Sequence, residues 1–398
     1  MNNNKVLLAF SGGLDTSFCA KYLSLELQLE VHTALVNTGG FSQEECEKVK
    51  QKALQLGSHS HNTLEETELF YQKMIRFLIY GNVLKNQNYP LSVSAERIHQ
   101  AVALAKYAKE IKADYIAHGS TGAGNDQIRF DLIFQLIAPE IEIITPVRDR
   151  QLSRQEEIDY LSQNGHKLLW NEAKYSINKG LWGTSVGGAE TLTSGEPLPE
   201  VAYPSSVIHD TSSKITLHFE KGELQGLNNK IMSPVEAIQK LSILGSEYGI
   251  GRDIHVGDTM IGIKGRVGFE APAAHIIISA HRHLEKHTLS KWQIHWKEQL
   301  GNWYGMFVHE AQYLEPVMRN IETFLISSQT KVTGDVFVEL QPYRFSILGI
   351  KSPHDLMESG FGTYGEMNLG WNAEDVKGFT KIMANPIKIF NQLNGMKW

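Results

Sequence analysis

The feature that most constrains this chain is seven residues near its start, Ser11-Gly12-Gly13-Leu14-Asp15-Thr16-Ser17. They follow an apolar run, Lys5–Phe10, that reads as a buried strand. They open a segment with Leu14, Phe18, Tyr22 and Leu25 at helical spacing. A strand, a glycine turn and a helix N-terminus in that order make an anion site. The glycines let the backbone turn tightly and approach a ligand with no Cβ in the way. The first-turn N–H groups, with the helix dipole behind them, then face negative charge. Ser11, Thr16 and Ser17 add hydroxyls. The bland alternative is a plain strand-to-helix turn with Asp15 as its cap.

Two commoner phosphate motifs are missing. No G-x-x-x-x-G-K-S/T occurs, and Gly122-Ala123-Gly124 is followed by Gln127 where a dinucleotide fingerprint needs its third glycine. S-G-G-x-D-S/T-S/T after an N-terminal strand instead resembles the loop of the ATP pyrophosphatases. That family holds pyrophosphate while a nucleophile attacks the α-phosphate.

The first half of the chain alternates strand and helix. Val31–Val36 reads as a strand ending at Gly39-Gly40. Ser42 with Glu45, Thr63 with Glu66 and Ser153 with Glu156 each form an S/T-x-x-E capping box, predicting helices to Leu56, to about Ile79 and to near Gly165. A helix is expected from about Ala95 to Lys109, a strand at Tyr115–Ala117, a helix over Asp126–Ile137 and a strand at Ile141–Thr145. Repeated β-α units imply an α/β fold, a Rossmann-like parallel sheet with helices on both faces and ligands at the carboxyl ends of its strands. The turns at 11–17, 36–40 and 118–127 therefore share one cleft.

The grammar changes from Trp170. Residues Tyr175–Pro204 are rich in Gly, Ser, Thr and Pro with little periodicity. A hairpin at Ile215–Leu227, a helix from Ser233-Pro234, a strand at Met260–Lys264, helices between Ala273 and Ser328, and strands Asp335–Leu340 and Tyr343–Gly349 suggest an α+β second domain. A helix near Ala373–Met383 ends the chain. The expected division is an ATP-binding domain at 1–168, a synthetase and multimerisation domain at 169–362, and an extension at 363–398.

Composition narrows the class. Lys and Arg number 38 against 44 Asp and Glu, a formal charge of −6 with no basic patch, which disfavours nucleic acid. Two cysteines, Cys19 and Cys46, form no C-x-x-C and fit a reducing cytoplasm. No apolar run is long enough to span a bilayer, and no signal peptide is visible.

A second stretch, His118-Gly119-Ser120-Thr121-Gly122-Ala123-Gly124-Asn125-Asp126-Gln127-Ile128-Arg129-Phe130, offers a donor and acceptor set suited to an amino acid. An ammonium wants Asp126 or carbonyls; a carboxylate wants Arg129, Asn125 and N–H groups. Together with S-G-G-L-D-T-S and L-W-G-T-S-V-G-G at 181–188, in that order, this chain resembles the argininosuccinate synthases, whose second motif usually reads H-G-C-T-G-K-G-N-D-Q-x-R-F. Tyr89-Pro90-Leu91, Tyr175-Ser176-Ile177, Val332-Thr333-Gly334 and Gly378-Phe379 add to the likeness, which spans nearly the whole chain.

The resemblance implies a ligase. The ureido oxygen of citrulline attacks the α-phosphate of ATP, giving a citrullyl-adenylate and pyrophosphate, and the L-aspartate amine displaces AMP. Carried over by position, Ala9, Phe10, Ser11, Gly12, Gly13, Leu14, Asp15, Thr16, Ser17, Val36 and Gly119 contact ATP, with Ser11 and Asp15 in the catalytic role. Thr121, Asn125 and Asp126 hold aspartate. Tyr89, Ser94, Asn125, Arg129, Ser176 and Ser185 hold the ureido substrate. Mg²⁺ comes with ATP rather than in a protein cage. A cytoplasmic homotetramer, with small molecules rather than nucleic acid or membrane as partners, is also implied.

Departures from the family pattern cluster in one place. The usual G-T-S/A-L-A-R-P is here Ser92-Val93-Ser94-Ala95-Glu96-Arg97-Ile98, and the second-motif Lys is Ala123. The citrulline-binding Glu and Tyr of the family fall on Gly257 and Phe269. Two outcomes stay open. The substrate is an α-N-acylated citrulline, with room at Gly257 and Gly268 and an acidic acyl group reaching Arg97 or Arg266; or Asp258 takes over and free citrulline is used. Two other functions fit the residues less well. A tRNA-modifying adenylating enzyme wants a basic face and often a cysteine pair, and a nucleotide sensor does not need an amino-acid site. His59, His61, His281 and His283 read as ordinary histidines without a third metal ligand, and Trp292, Trp296, Trp303 and Tyr304 as helix packing.

Overall fold

A computed structural model describes residues 4–166, 175–362, 364–366 and 370–395. The expected boundaries at 168 and 363 fall outside these. The described chain divides into two compact units, Met1–Ser352 and Pro353–Trp398.

The first unit begins with β1 (Lys5–Ala9), α1 (Leu14–Leu25), β2 (Glu30–Asn37), α2 (Gln43–Gln55) and β3 (Ser60–Glu65). A helical run follows: α3 (Thr67–Phe70), a π-helical turn over Tyr71–Ile75, and α4 (Arg76–Tyr80). Next come α5 (Ser92–Glu110), β4 (Tyr115–Ala117), α6 (Asp126–Ile137), β5 (Glu142–Ile144), α7 (Pro146–Asp149) and α8 (Arg154–Gln163). All five strands pair in parallel in the order β3-β2-β1-β4-β5. Side chains alternate across a strand. Val6 and Leu8 therefore enter one buried cluster with Phe18 and Leu161, and Leu7 enters another with Ile98 and Phe134. Both faces are covered, as a parallel sheet requires.

Two of the three capping boxes form: Ser42 and Ser153 each exchange hydrogen bonds with the glutamate three residues on. The third does not. Ser60–Glu65 is a strand paired in parallel with β2 from His32↔Ser60 to Asn37↔Glu65, so Thr63 cannot cap a helix, and the helix starts at Thr67. Six ladder positions outweigh one local side-chain bond.

The rest of the first unit builds two antiparallel sheets. β6 (Ser176–Gly180) and β7 (Gly183–Gly187) form a hairpin inside the stretch expected to lack periodicity. β8 (Ser213–Glu220), β9 (Glu223–Leu227) and β10 (Lys230–Ile231) lead to α9 (Pro234–Glu247). β11 (Arg252–Asp258) and β12 (Lys264–Glu270) pair with each other, and β12 with β7. The strand expected at Met260–Lys264 is thus corrected: 259–263 is the turn joining β11 to β12, and Ile261 and Ile263 are exposed. Helices α10 (Pro272–Thr288), α11 (Lys291–His309) and α12 (Pro316–Ser328) precede β13 (Gly334–Gln341) and β14 (Arg344–Lys351). The sheet orders are β10-β9-β8-β13-β14 and β11-β12-β7-β6. Of the four α11 aromatics expected to pack, Tyr304 is fully buried, whereas Trp292, Trp296 and Trp303 are more than half exposed, against the packing role expected of them. His281 is wholly buried between Asn82 and Gln329, and His61 bonds Thr33.

In the second unit, helix α13 (Ala373–Met383) is followed by α14 (Asn385–Asn394), a second helix where one was expected. Val376, Phe379, Ile382, Ile387, Phe390 and Leu393 on these helices are exposed.

Candidate active site

The carboxyl ends of β1, β2 and β4 open into a cleft of about 1080 Å³, and the turns at 11–16, 36–41 and 118–126 all line it. Its size is at the upper end of ordinary ligand cavities, about 300–1,000 Å³.

The end of the cleft formed by the β1–α1 turn is backbone. Gly12 has φ +77°, a left-handed conformation that costs other residues roughly 1–2 kcal/mol. The Gly12 carbonyl accepts from Lys52 Nζ at 2.6 Å, which pins the turn. Gly13 caps α1 with no side-chain hydrogen bond, so the first-turn N–H groups are not consumed by a cap, and Asp15 is not the cap. A Cβ on Gly119 would lie 3.0 Å from the Asp15 carbonyl carbon and 3.1 Å from the Thr16 nitrogen. Glycine there lets the β4 loop close over the start of α1.

Asp15 faces Glu157 of α8, and the two carboxyls hydrogen-bond. Burial, then the charge of Asp15, pushes the Glu157 carboxyl up to about 8, and burial raises Asp15 as well. A pair that keeps a proton near neutrality places less negative charge beside the β1–α1 turn than two carboxylates would.

The middle of the cleft is an ion-paired frame. Asp126 sits between Arg97 Nε at 3.1 Å and Arg129 Nη1 at 2.9 Å. Burial alone would raise the Asp126 carboxyl, but the two guanidiniums outweigh it and hold it below the usual range. Arg129 also donates to Ser94 Oγ at 2.8 Å and to the His309 carbonyl at 3.1 Å. Arg97 reaches Asn178 at 2.7 Å and Gln100 at 2.8 Å. Asn125 Oδ1 accepts from the Met260 N–H at 2.9 Å, tying the β11–β12 turn to the loop of the second motif. Beneath that loop, His118 Nε2 contacts Asp131 at 2.8 Å, and Asp131 contacts Arg148 at 2.7 Å.

Every residue expected in the site lines this cleft except Ser17. Ala9, Phe10, Ser11, Gly12, Gly13, Leu14, Asp15, Thr16, Val36 and Gly119 lie at the β1–α1 end, with Thr121, Asn125 and Asp126 beside them. Tyr89, Ser94, Arg129, Ser176 and Ser185 complete the wall. Ser17 is fully buried, and its hydroxyl donates to the Gly13 carbonyl at 2.6 Å, so it shapes the turn rather than adding a donor to it.

Two family models cover almost all of the chain. Residues 5–167 match the arginosuccinate synthase N-terminal HUP domain, and residues 175–390 match the arginosuccinate synthase C-terminal domain. The chain belongs to the argininosuccinate synthase family. It is similar to the argininosuccinate synthase of Xanthomonas campestris pv. campestris, 35% identical over 401 residues, with 99% of this chain and 100% of the relative covered. The Dictyoglomus thermophilum enzyme is 37% identical with 96% of each covered, and that of Methanocaldococcus jannaschii 33% with 91% and 92%. Membership makes the chain an ATP-dependent carbon–nitrogen ligase. Among the described residues no helix is long and apolar enough to cross a membrane.

Within this family frame the structure adds residues that motif reading did not single out as site residues. Arg97 and Asn178 steady the middle of the cleft, and Glu96 is buried against Thr38 Oγ1 at 2.5 Å, where burial raises its carboxyl. Glu157 is the partner of Asp15. Arg97 and Glu96 stand in the stretch that departs from the family motif, which was the available signal. Glu157 carries no local signal: it belongs to the helix after a capping box.

The places expected to give extra room are also revised. A Cβ on Gly268 would lie 2.5 Å from Leu198 Cδ2, so that space is filled. Phe269 is fully buried against Tyr89 and His275 and does not line the cleft. The Arg266 guanidinium is spent on the carbonyls of Glu190, Thr193 and Glu196, and Arg97 on the frame above. Both guanidiniums line the cleft but already hold protein acceptors.

Proposed function

We propose an assignment of roles to this cleft in the family's reaction. The chain joins citrulline to aspartate, driven by ATP, in arginine biosynthesis. The turn from Ala9 to Thr16, with Val36 and Gly119, cradles the triphosphate, and Ser17 holds the turn from behind. Ser11 and Asp15 attend the leaving pyrophosphate. Tyr89, Ser94, Asn125, Arg129, Ser176 and Ser185 hold citrulline with its ureido oxygen toward the α-phosphate; Thr121, Asn125 and Asp126 hold aspartate. The ureido oxygen forms a bond to the α-phosphorus as the bond to the β-phosphate oxygen breaks. The aspartate nitrogen then bonds the ureido carbon, and AMP leaves. Donors fixed in advance around developing phosphate charge are the main source of such catalysis.

Magnesium accompanying the nucleotide supplies charge neutralisation of the phosphates.

The observation that carries this reading is the backbone cradle at Gly12 and Gly119 adjoining the Arg97–Asp126–Arg129 frame in a single cleft. We further assign nucleotide binding to residues 1–168, ligation and assembly to 169–362, and inter-subunit contact in a cytoplasmic homotetramer to 363–398. The exposed apolar residues of α13 and α14 support the last. The decisive experiment is isotopic. Oxygen-18 in the ureido group is expected in AMP; its appearance in pyrophosphate defeats the assignment.

A further inference from the structure

The loop from Gly119 to Gly124 lies between β4 and α6, outside helix and strand, and three of its six residues are glycine. Such a segment has no fixed shape of its own, because glycine has the most backbone freedom to lose. Gly119, Ser120, Thr121 and Gly124 nevertheless line the cleft. A polar network beneath the loop fixes it there.

The network has two arms. In the first, the Ser120 N–H donates to His118 Nδ1 at 3.2 Å, so this nitrogen carries the lone pair and Nε2 the proton. Nε2 donates in turn to Asp131 Oδ1 at 2.8 Å. In the second, Gln127 Nε2 donates to the carbonyls of Gly122 at 2.7 Å and Gly124 at 3.1 Å. Its amide therefore turns the nitrogen toward the loop and the oxygen away from it.

The arms meet at Arg148 on α7. Its Nη1 donates to Asp131 Oδ2 at 2.7 Å and to Gln127 Oε1 at 3.3 Å. Its Nε donates to Thr145 Oγ1 at 3.2 Å, which orients the guanidinium, and Asp149 lies 3.8 Å away. A guanidinium offers donors only, so every group it holds must present an acceptor. Burial alone would raise the Asp131 carboxyl, but the hydrogen bonds from His118 and Arg148 outweigh it and hold it below the usual range. An ionised Asp131 keeps the His118 proton on Nε2 and leaves Nδ1 free to accept from Ser120. A Gln127 whose oxygen is taken can only offer its nitrogen to the loop. Arg148, Asp131 and Gln127 do not themselves line the cleft.

We propose that Arg148 is a positioning residue for the aspartate site: by fixing the tautomer of His118 and the amide orientation of Gln127, it sets the shape of the loop that presents Thr121. The inference rests on the assignment of Thr121 to aspartate above and fails separately from it.

The test uses the full chain and two readouts. One is AMP release with ATP and citrulline while aspartate is varied. The other is ATP–pyrophosphate exchange with citrulline, which needs no aspartate. Arg148→Met removes the donors and keeps the stem. It is expected to raise the aspartate KM at least about tenfold while exchange changes less than about threefold. Gln127→Glu keeps the shape and gives Arg148 a stronger partner, but turns a second oxygen toward the Gly122 and Gly124 carbonyls. The same rise is expected, whereas a network that only stabilised the fold would gain from the added ion pair. His118→Phe keeps a ring beside Phe130, offers no lone pair, and is expected to act in the same direction. An aspartate KM within about twofold of wild type in Arg148→Met or in Gln127→Glu overturns the inference. So does a rise in KM matched by an equal loss of exchange. Thr121→Ala separates the two readings. If it leaves the aspartate KM unchanged while Arg148→Met raises it, the role of Thr121 fails and that of Arg148 stands; the reverse result overturns the role of Arg148 alone.

Discussion

The two ends of the cleft are built from different materials. At the phosphate end the ligand-facing groups are backbone: a left-handed Gly12, an uncapped helix start and a close approach at Gly119. At the far end they are side chains on an antiparallel ladder, His255 on β11 and His309 from α11, with glycines leaving the strands bare between them. Backbone geometry is set by chain connectivity, and at Gly12 and Gly119 an added Cβ would meet a left-handed φ or a neighbouring backbone. Side-chain geometry can change one residue at a time while the ladder stays. Of the departures from the family pattern, Gly257 lies at the far end, whereas Phe269 is buried behind it against Tyr89 and His275 and does not line the cleft.

The contrast is broken most severely at Gly119. Gly119→Val puts atoms onto the Asp15–Thr16 backbone. ATP–pyrophosphate exchange with a ureido acid is expected to fall at least about a thousandfold, roughly 4 kcal/mol, with circular dichroism unchanged. Near-normal exchange would mean that the phosphate end is not read by backbone after all.

The Asp15–Glu157 pair gives a second test. Glu157 is raised from the ordinary carboxylate range to about 8, and Asp15 is raised too. Between those limits the folded chain holds more protons than the unfolded one, so stability contributed by the pair is full at low pH and is lost as pH rises toward 8. Glu157→Gln is expected to flatten that decline when denaturation midpoints are compared at about pH 5.5 and about pH 8.5. An undiminished slope would place the titration elsewhere.

The smallest effect is expected where the far end is braced from behind. Asn88 Nδ2 donates to Asp253 Oδ2 at 3.0 Å and to the Ile254 carbonyl at 3.2 Å, fixing the start of β11. Asn88→Ala removes hydrogen bonds worth about 1 kcal/mol, so the KM for the ureido acid should rise severalfold while ATP binding is unmoved. A parallel loss of ATP affinity would show that the two ends are not separable.

Local chemistry made much of this protein legible before any fold was known. The β1–loop–α1 unit, two capping boxes and the loop from His118 to Phe130 rest on interactions among residues a few positions apart. Glycine freedom, helix periodicity and caps act at that range. Where a local pattern had a long-range competitor, the competitor prevailed. The Thr63–Glu66 box lost to six parallel pairings with β2, and the apolar Met260–Ile263 run became the turn between two strands whose own glycines had hidden them.

What only the tertiary structure decided is which distant groups meet. Asp15 and Glu157, Arg97 and Asn178, and His255 and His309 come from separate elements. Their partnership depends on strand order and register, and no spacing within a motif records it. The sequence by itself pointed to an anion cradle at residues 11–17, because a glycine turn leading into a helix start is a local pattern. It did not determine what the far end of the cleft accepts, because that depends on whether the space beside Gly257 is empty or holds an imidazole, and a fold was needed to put His255 there.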